Sequence, residues 1–256
     1  MSTLAIIQAR MGSTRFPGKV LQPIGGKAIL LHILERLKAV RSINEIVVAI
    51  PDGAVDQPLR SFCREHRISF WGGSETDVLD RYYGTARRYG GDPILRITAD
   101  CPLVDPGTVE ELIQMYHSGH FDYVAVAAGA DSEGLTDGRF PDGLDAECCS
   151  FAALEAAWRD ATDVRDREHV TRFLWKNKQR FRCGKLFAAA HYPSFRLTVD
   201  HPQDLELVQR IYEELGNGAK IFPVAEIISL LERKPELAEI NRHLIEAQNY
   251  RSVVED

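Results

Sequence analysis

The stretch LAIIQARMGSTRFPGK, residues 4–19, begins as an apolar run and ends as a loop rich in glycine and positive charge. The apolar run, residues 4–9, predicts a buried β-strand. The loop after it carries Arg10, Gly12, Arg15, Gly18 and Lys19. Glycines let a backbone approach a ligand closely and cations neutralise phosphates, so this loop is predicted to bind a triphosphate.

Two common phosphate-binding patterns are excluded for this loop. Five residues, rather than the four of a Walker A loop, separate Gly12 from Gly18. Pro17 lacks an N–H, and Val20 stands where that loop needs serine or threonine. The dinucleotide pattern G-x-G-x-x-G occurs nowhere in the chain. The remaining alternative is a surface loop whose charges have no function.

The rest of the first half alternates short apolar runs with amphipathic stretches. The predicted strands are residues 45–50, 68–71 and 93–98, and the predicted helices are residues 29–37, 76–89 and 106–117. This alternation predicts an α/β fold with a mainly parallel sheet flanked by helices. Ligands of such sheets bind beside the carboxyl ends of the strands, which singles out the loops after Ala9, Trp71 and Thr98.

The second half is less regular. A surface loop is predicted over residues 127–143, strands over 144–151, 182–188 and 196–199, and helices over 151–160, 168–178, 202–215 and 224–233. No repeat or linker divides the chain. We therefore expect a single domain, residues 1–256, with a smaller irregular α+β arm at about residues 127–190.

Composition argues against several classes of protein. The net charge of −6, without a basic run, argues against a nucleic-acid partner. The five cysteines have no metal-ligand spacing and Cys148 and Cys149 would face opposite ways in a strand, so reduced thiols are expected. MSTLAIIQAR has neither the basic start of a signal peptide nor the length of a membrane span. A cytoplasmic protein without a membrane partner is expected.

Two aspartates follow apolar strands. Asp100 lies in RITADCPLVD, residues 96–105, and Asp200 ends FRLTVD, residues 195–200. Carboxylates at strand ends suit Mg²⁺, which prefers oxygen ligands and phosphates. Either aspartate can alternatively cap a turn or helix. Asp105, before Pro106, is better explained as such a cap.

Four segments, taken together and in order, carry a family resemblance. QARMGSTRFPGKVL, GGSETDVLDRY, TADCPLVDP and RLTVDHPQDLEL resemble the cytidylyltransferases that activate acidic sugars. Within these enzymes, the chain most resembles the spore coat polysaccharide biosynthesis branch, related to acylneuraminate and 3-deoxy-manno-octulosonate cytidylyltransferases. The resemblance implies a Rossmann-like, nucleotide-diphospho-sugar transferase-like fold. It also implies transfer of CMP from CTP to an acidic sugar with Mg²⁺ as cofactor.

The resemblance also implies roles for individual residues. Arg10, Arg15 and Lys19 would meet the phosphates, and Asp100 and Asp200 would hold magnesium. The nucleotide-binding residues would be Ala9, Arg10, Gly12, Ser13, Lys19, Gly73, Ser74, Asp77 and Arg81. A homodimer is expected, with the arm contributing to its interface.

The acceptor site is the least transferable part, because the middle of the chain resembles only the spore coat branch. Its candidate residues are Asp142, Asp145, Glu147 and His169, with Asp145 and Glu147 on one strand face. An anion clamp for the acceptor is predicted from Arg81, Arg96, Arg167, His169 and Arg196. His169 has the alternative of lying on a helix surface. Acidic and basic groups together favour an acceptor with both a carboxylate and an amino group.

Two rival functions remain open. A glycosyltransferase is one, although Asp100-Cys101-Pro102 is not the Asp-x-Asp that such enzymes use. A non-catalytic nucleotide- or sugar-binding protein is the other. Release of pyrophosphate distinguishes a cytidylyltransferase from both.

Overall fold

The computed structural model describes residues 2–128, 139–189, 192, 195–216 and 220–245. Within them the strands are β1 (Thr3–Gln8), β2 (Pro23–Ile24), β3 (Lys27–Ala28), β4 (Ile43–Pro51), β5 (Phe70–Gly73), β6 (Ile94–Thr98), β7 (Tyr123–Val126), β8 (Glu147–Cys149) and β9 (Cys183–Leu186). The helices are α1 (Ile29–Lys38), α2 (Gln57–Glu65), α3 (Val78–Tyr89), α4 (Pro106–Gly119), α5 (Phe151–Asp160), α6 (Val164–Glu168), α7 (Arg172–Lys176), α8 (Pro202–Leu215), α9 (Val224–Arg233) and α10 (Pro235–Ala238).

Seven of these strands form one sheet in the order β5-β4-β1-β6-β8-β7-β9. β8 is antiparallel to both of its neighbours, and the other six run parallel to one another. This confirms the predicted mainly parallel sheet. From β1 the chain moves outward through β4 and β5, and it then returns to β6 on the other side of β1. The strand order reverses between β1 and β6, which is where open α/β sheets bind ligands.

Apolar side chains cover both faces of the sheet. Along β1, Ile7 belongs to one buried cluster and Ile6 to the other, as alternation along a strand requires. Helices α1, α4, α8 and α9 pack on the face of Ile7, and α3 and α5 pack on the face of Ile6. Cys148 and Cys149 lie in different clusters, which confirms their opposite orientation. All five cysteines are free thiols.

Three helices of the second half, α5, α8 and α9, begin and end at the predicted residues. Ser150 caps α5 by accepting a hydrogen bond from Ala153 N at 3.0 Å. Pro202 occupies the first turn of α8, where its missing N–H leaves no intrahelical bond unmade. Asp105 caps α4, as predicted, by accepting from Thr108 N at 2.8 Å.

The single helix predicted over residues 168–178 is wrong. The chain forms α6 and α7 instead, and Val170 lies between them with a φ of 55°. Thr171 follows the break, and its hydroxyl donates to Glu147 at 2.8 Å. This long-range contact leaves no trace in the local spacing of apolar residues.

Other differences are smaller. Residues 196–199 form an isolated bridge from Arg196 to Asp142 rather than the predicted strand. β8 covers only three residues of the strand predicted over 144–151. Helix α2 was not predicted, because its sequence QPLRSFCRE is mostly polar. Of the loop predicted over residues 127–143, Ala127 and Ala128 are buried, and residues 129–138 lie outside the described residues. No helix in the described part of the chain is long and apolar enough to cross a membrane.

Candidate active site

The carboxyl ends of β1 and β6 form the floor of a cleft. Gln8 pairs with Thr98 across the two strands, and Ala99 N donates to Gln8 O at 3.0 Å. Asp100 follows directly. Above this floor lie residues of the glycine-rich loop, and the cleft is lined by Gln8, Arg10, Ser13, Thr14, Arg15, Lys19, Val20, Thr98, Ala99, Asp100 and Asp200. The loop, Asp100 and Asp200 therefore meet at one place, as the sequence predicted, although Asp200 follows the isolated bridge at Arg196 rather than a strand of the sheet.

Backbone hydrogen bonds fix the shape of the loop. Ser13 N and Gly18 N both donate to Met11 O at 2.9 Å. Met11 N in turn donates to the buried carboxylate of Asp56 at 2.6 Å. Gly18 has a φ of 70°, in the left-handed region that favours glycine. The short helical turn that begins at Lys19 follows, and it directs the Lys19 side chain into the protein.

Lys19 joins the two strand-end aspartates. Its ammonium lies 2.8 Å from Asp100 Oδ2 and 2.7 Å from Asp200 Oδ1. The Lys19 side chain is only 11% exposed. Burial lowers the pKa of Lys19, but the two carboxylates outweigh burial, and the net pKa is raised. We call Lys19, Asp100, Asp200, Arg15 and Arg196 the strand-end cluster.

Asp200 is the more heavily paired of the two aspartates. Arg15 Nη2 lies 3.1 Å from Asp200 Oδ1, and Arg196 Nη2 lies 3.1 Å from Asp200 Oδ2. Burial opposes ionisation of Asp200, yet Lys19, Arg15 and Arg196 together lower its pKa. Asp100 Oδ1 has a weaker contact, the thiol of Cys101 at 3.6 Å. Asp200 therefore stays charged, and Asp100 keeps an oxygen available for a ligand.

A buried layer holds Asp200 and Arg196 in place. Asp204 is fully buried, and its Oδ2 accepts from Asp200 N and His201 N, both at 2.9 Å. Arg196 Nε donates to Asp204 Oδ1 at 3.0 Å. Asn241 Nδ2 donates to Asp204 Oδ1 at 2.8 Å and to Arg196 O at 3.0 Å. Sequence reasoning missed Asn241, because a lone asparagine far along the chain carries no local signal.

The two aspartates fit a magnesium ion by donor chemistry and by placement. In the described residues no three histidine, cysteine, aspartate or glutamate side chains converge on a metal position. Asp100 and Asp200 nevertheless each direct one oxygen at a single cationic group, the Lys19 ammonium. Mg²⁺ is commonly bound by one or two carboxylates together with water and substrate phosphates. The pair therefore suits such an ion.

The residues predicted to frame the nucleoside lie at the end of β5 and the start of α3. A Cβ on Gly73 would come within 3.1 Å of Arg81 Cγ, so only glycine packs there without a shift. Arg81 is 1% exposed, and its Nη1 donates to Ser74 O. Burial lowers the pKa of Arg81. Asp77 caps α3 by accepting from Asp80 N at 2.9 Å. Ser74 Oγ accepts from Asp77 N at 3.0 Å, so Arg81, Asp77 and Ser74 hold the loop together. Their contact with a nucleoside stays a prediction.

Glu147 is paired within the protein and is not among the residues that line the cleft, so its predicted contact with an acceptor stays a prediction. Its carboxylate accepts from Arg96 Nη1, from Tyr123 OH at 2.5 Å and from Thr171 Oγ1 at 2.8 Å. Only 8% of the residue is exposed. We call these four residues the Glu147 cluster. It joins β6, β7 and β8 to the break before α7 and has a structural role.

The remaining acceptor candidates are dispersed. Asp145 precedes β8 and therefore does not share a strand face with Glu147; its Oδ2 accepts from Gly143 N at 2.9 Å. His169 is exposed at the end of α6. Asp142 lies beside the strand-end cluster, with its Oδ2 3.0 Å from Arg196 Nη1. Of the four candidates, Asp142 is the one that the structure brings to the site.

The four arginines of the predicted anion clamp have partners within the protein. Arg96 pairs with Glu147, and Arg196 pairs with aspartates. Arg167 pairs with Asp77 at 2.6 Å. Arg81 is buried against Ser74 O, as described above. An acceptor carboxylate would have to compete with these partners for the guanidinium groups, and the clamp stays a prediction.

Comparisons with known proteins identify the family of this chain. A model of the cytidylyltransferase family matches residues 4–223. The spore coat polysaccharide biosynthesis protein SpsF of Bacillus subtilis is 32% identical over 92% of this chain and 96% of its own length. The 8-amino-3,8-dideoxy-manno-octulosonate cytidylyltransferase of Shewanella halifaxensis is 32% identical over 84% of this chain and 73% of its own length.

A solved structure also matches nearly the whole fold. A cytidylyltransferase from Leptospira borgpetersenii serovar Hardjo-bovis superposes with a TM-score of 0.82 at 27% identity, covering 93% of this chain and 97% of the other. The family match covers both strand-end aspartates and the glycine-rich loop. The chain therefore belongs to the cytidylyltransferase family of nucleotidyltransferase enzymes.

Proposed function

We propose that the protein transfers CMP from CTP to a hydroxyl of an acidic sugar, releases pyrophosphate and uses Mg²⁺. One observation carries the proposal: Lys19, Asp100 and Asp200 converge beneath a glycine-rich cationic loop at the β1–β6 switch point. Phosphates and a divalent cation need this combination of cations and carboxylates in one cleft.

In the proposed reaction, the acceptor oxygen attacks the α-phosphorus of CTP. The new oxygen–phosphorus bond forms as the bond from the α-phosphorus to the β-bridging oxygen breaks. Pyrophosphate leaves with that bonding pair, and the proton of the acceptor hydroxyl passes to solvent. Positioning and neutralisation of charge account for most catalysis of this kind.

The chain's own residues divide these tasks. Arg10 and Arg15 are exposed at the mouth of the cleft and would bind the phosphates. Asp100 and Asp200 would hold Mg²⁺, which when bound neutralises phosphate oxygens and lowers the pKa of the acceptor hydroxyl. Asp204 and Arg196 keep Asp200 in its position.

The acidic acceptor rests on the relatives, because the arginines of the predicted clamp already have partners within the protein. The Shewanella halifaxensis relative is named for an acceptor that bears a carboxylate and an amino group. We propose an amino-substituted keto-acid sugar as the acceptor. A homodimer stays a prediction, and sedimentation of the purified protein measures it.

The test is pyrophosphate release from CTP, UTP, ATP and GTP with a panel of acidic sugars and Mg²⁺. We expect release with CTP and one keto-acid sugar, and loss of release with its methyl ester. No release with any acceptor would favour a non-catalytic binding protein. Equal rates for acid and ester would reopen the acceptor class while leaving the nucleotidyl transfer intact.

A further inference from the structure

We propose that Lys19 is an internal counter-ion that occupies the cation position between Asp100 and Asp200 until a nucleotide withdraws it. The metal is then bound together with the nucleotide rather than before it. This inference rests on the proposed function, because it concerns the magnesium site of that reaction. It assigns Lys19 a role in the free protein in addition to its contact with phosphate.

The placement of Lys19 supports this role. Its ammonium is within 2.8 Å of Asp100 Oδ2 and 2.7 Å of Asp200 Oδ1, the two oxygens that converge. Two carboxylates this close to one point repel each other unless a cation lies between them. Lys19 supplies that charge from within the chain, so the site is assembled before any ligand arrives.

A metal ion that arrives alone must compete with this arrangement. Asp100 offers it Oδ1, but both oxygens of Asp200 are in use, Oδ1 by Lys19 and Oδ2 by Arg196. Displacing Lys19 leaves a nearly buried ammonium without an anionic partner, which is costly. Metal binding to the free protein is therefore opposed by Lys19.

A bound nucleotide removes the competition between Lys19 and the metal. Its phosphate oxygens offer the Lys19 ammonium a new anionic partner within the same cleft, and the aspartates are then free for the metal. Arg15 does not act in this way, because its side chain is half exposed and can turn into water without a replacement partner. The coupling between metal and nucleotide is reciprocal, so each strengthens the binding of the other.

The test measures Mn²⁺ binding to the nucleotide-free protein by electron paramagnetic resonance, which detects the free ion. Lys19→Met removes the charge and keeps the length of the side chain. We expect the Mn²⁺ affinity of Lys19→Met to exceed that of the unmodified protein by about tenfold or more, since 1.4 kcal/mol corresponds to tenfold. Adding Asp100→Asn to this variant should remove the gain.

A matched control is Lys27→Met. Lys27 also forms an ion pair, 2.7 Å from Glu35, but on the surface and away from the cleft. The Mn²⁺ affinity of Lys27→Met should equal that of the unmodified protein. A second measurement titrates CTP by calorimetry with Mn²⁺ and with a chelator. The metal should strengthen CTP binding more in the unmodified protein than in Lys19→Met. Binding of the metal to CTP in solution is the same for both proteins, so it does not contribute to the difference between them.

No gain in Mn²⁺ affinity in Lys19→Met overturns the proposal. If circular dichroism shows that Lys19→Met is unfolded, the proposal is tested instead by the melting temperature, Tm, of the unmodified protein. Mn²⁺ and CTP together should then raise Tm by more than the sum of their separate shifts, and an additive result overturns the proposal. Failure of the proposed function has a different signature, since pyrophosphate release would be absent while the binding results stand.

Discussion

The strand-end cluster and the Glu147 cluster are both carboxylate–cation groups on the same sheet, yet their surroundings differ. In the Glu147 cluster one carboxylate meets one arginine and two hydroxyls. Around the strand-end cluster four carboxylates, Asp100, Asp142, Asp200 and Asp204, meet three cations, Lys19, Arg15 and Arg196. The Asp100 side chain is 27% exposed there, against 10% for Glu147.

This difference distinguishes a binding site from a scaffold. A buried cluster in which one carboxylate is paired with one guanidinium group has no surplus charge to attract a ligand, and breaking the pair costs stability. A partly exposed cluster with surplus carboxylates attracts a cation and holds it in a defined place. Variants of the strand-end cluster should therefore lose turnover and keep stability, and variants of the Glu147 cluster should lose stability and keep turnover.

The largest expected effect is on turnover in the strand-end cluster. Asp100→Asn should lower kcat by about a hundredfold or more, because the loss of a metal ligand costs a few kcal/mol in the transition state. Asp200→Asn should behave similarly. Pyrophosphate release measures the rate, and circular dichroism checks the fold. Near-normal release from either variant would remove that aspartate from the mechanism.

Variants of the Glu147 cluster should lose stability rather than turnover. Glu147→Ala leaves Arg96 buried without a counter-charge, so the free energy of unfolding should fall by about 3 kcal/mol or more. The kcat of the folded fraction should stay within about twofold, because Glu147 lies outside the proposed chemistry. Urea unfolding measures the first quantity.

The control is Glu35→Ala, which breaks the exposed ion pair with Lys27. Surface pairs contribute about 1 kcal/mol or less, so stability should barely change. A loss of kcat in Glu147→Ala without a loss of stability would place Glu147 in the site after all.

An intermediate effect, on KM for CTP, is expected at the ion pair between Arg167 and Asp77, which joins the two halves of the chain. Arg167 of α6 holds Asp77 at 2.9 and 2.6 Å and so fixes the first turn of α3 beside the predicted nucleoside loop. Arg167→Ala should raise KM for CTP by about tenfold and leave kcat nearly unchanged, as loss of ground-state binding does.

Arg165→Ala is the matched control, since Arg165 lies on the same helix and pairs with exposed Asp163. Arg167→Lys should restore only part of the affinity, because lysine cannot reproduce a contact made through two guanidinium nitrogens. A fall in kcat at constant KM would contradict a role in nucleotide binding.

The smallest effect is a pH dependence of stability. Burial raises the pKa of Asp142 to about 6, against the opposing pull of Arg196. A carboxyl whose pKa is raised on folding stabilises the protein fully below its unfolded value, and that contribution is lost as the pH rises through 6. Asp142→Asn should therefore shrink the fall in unfolding free energy between pH 5 and pH 8 by about 1 kcal/mol.

Asp200 contributes little to the change in unfolding free energy between pH 5 and pH 8. Its pKa is lowered on folding, so its stabilising contribution is present above the unfolded value and is lost only as the pH falls below that range. Urea unfolding at both pH values gives the difference. An unchanged slope in Asp142→Asn would mean that Asp142 titrates normally.

The sequence predicted the parallel sheet and the meeting of Lys19, Asp100 and Asp200, because these follow from local signals. Apolar runs mark β1 and β6, whose carboxyl ends share one edge of the sheet and bring Asp100 beside the loop. Asp200 reaches the same place through the isolated Arg196–Asp142 bridge, although the strand predicted before it does not form. Helix α8 was located correctly because Pro202 and the apolar period mark it.

The acceptor residues were not predictable in the same way. A sequence shows that Glu147 and Arg167 are charged, but not that each is already paired inside the fold. Such pairing depends on contacts between distant segments, as in the ion pair of Arg167 with Asp77, which are 90 positions apart. The break at Val170 has the same origin, since tertiary contacts override helix periodicity there.

Asn241 has a consequence for the order in which the protein is made. Asp204 and Asn241 are 37 positions apart, and synthesis at 5–20 residues per second needs about 2–7 s to cover that distance. During this interval the nascent chain already includes the residues of the seven sheet strands, of the glycine-rich loop and both aspartates, but not the amide that bonds Asp204 and Arg196. The support of Asp200 is thus completed only after Asn241 has been translated.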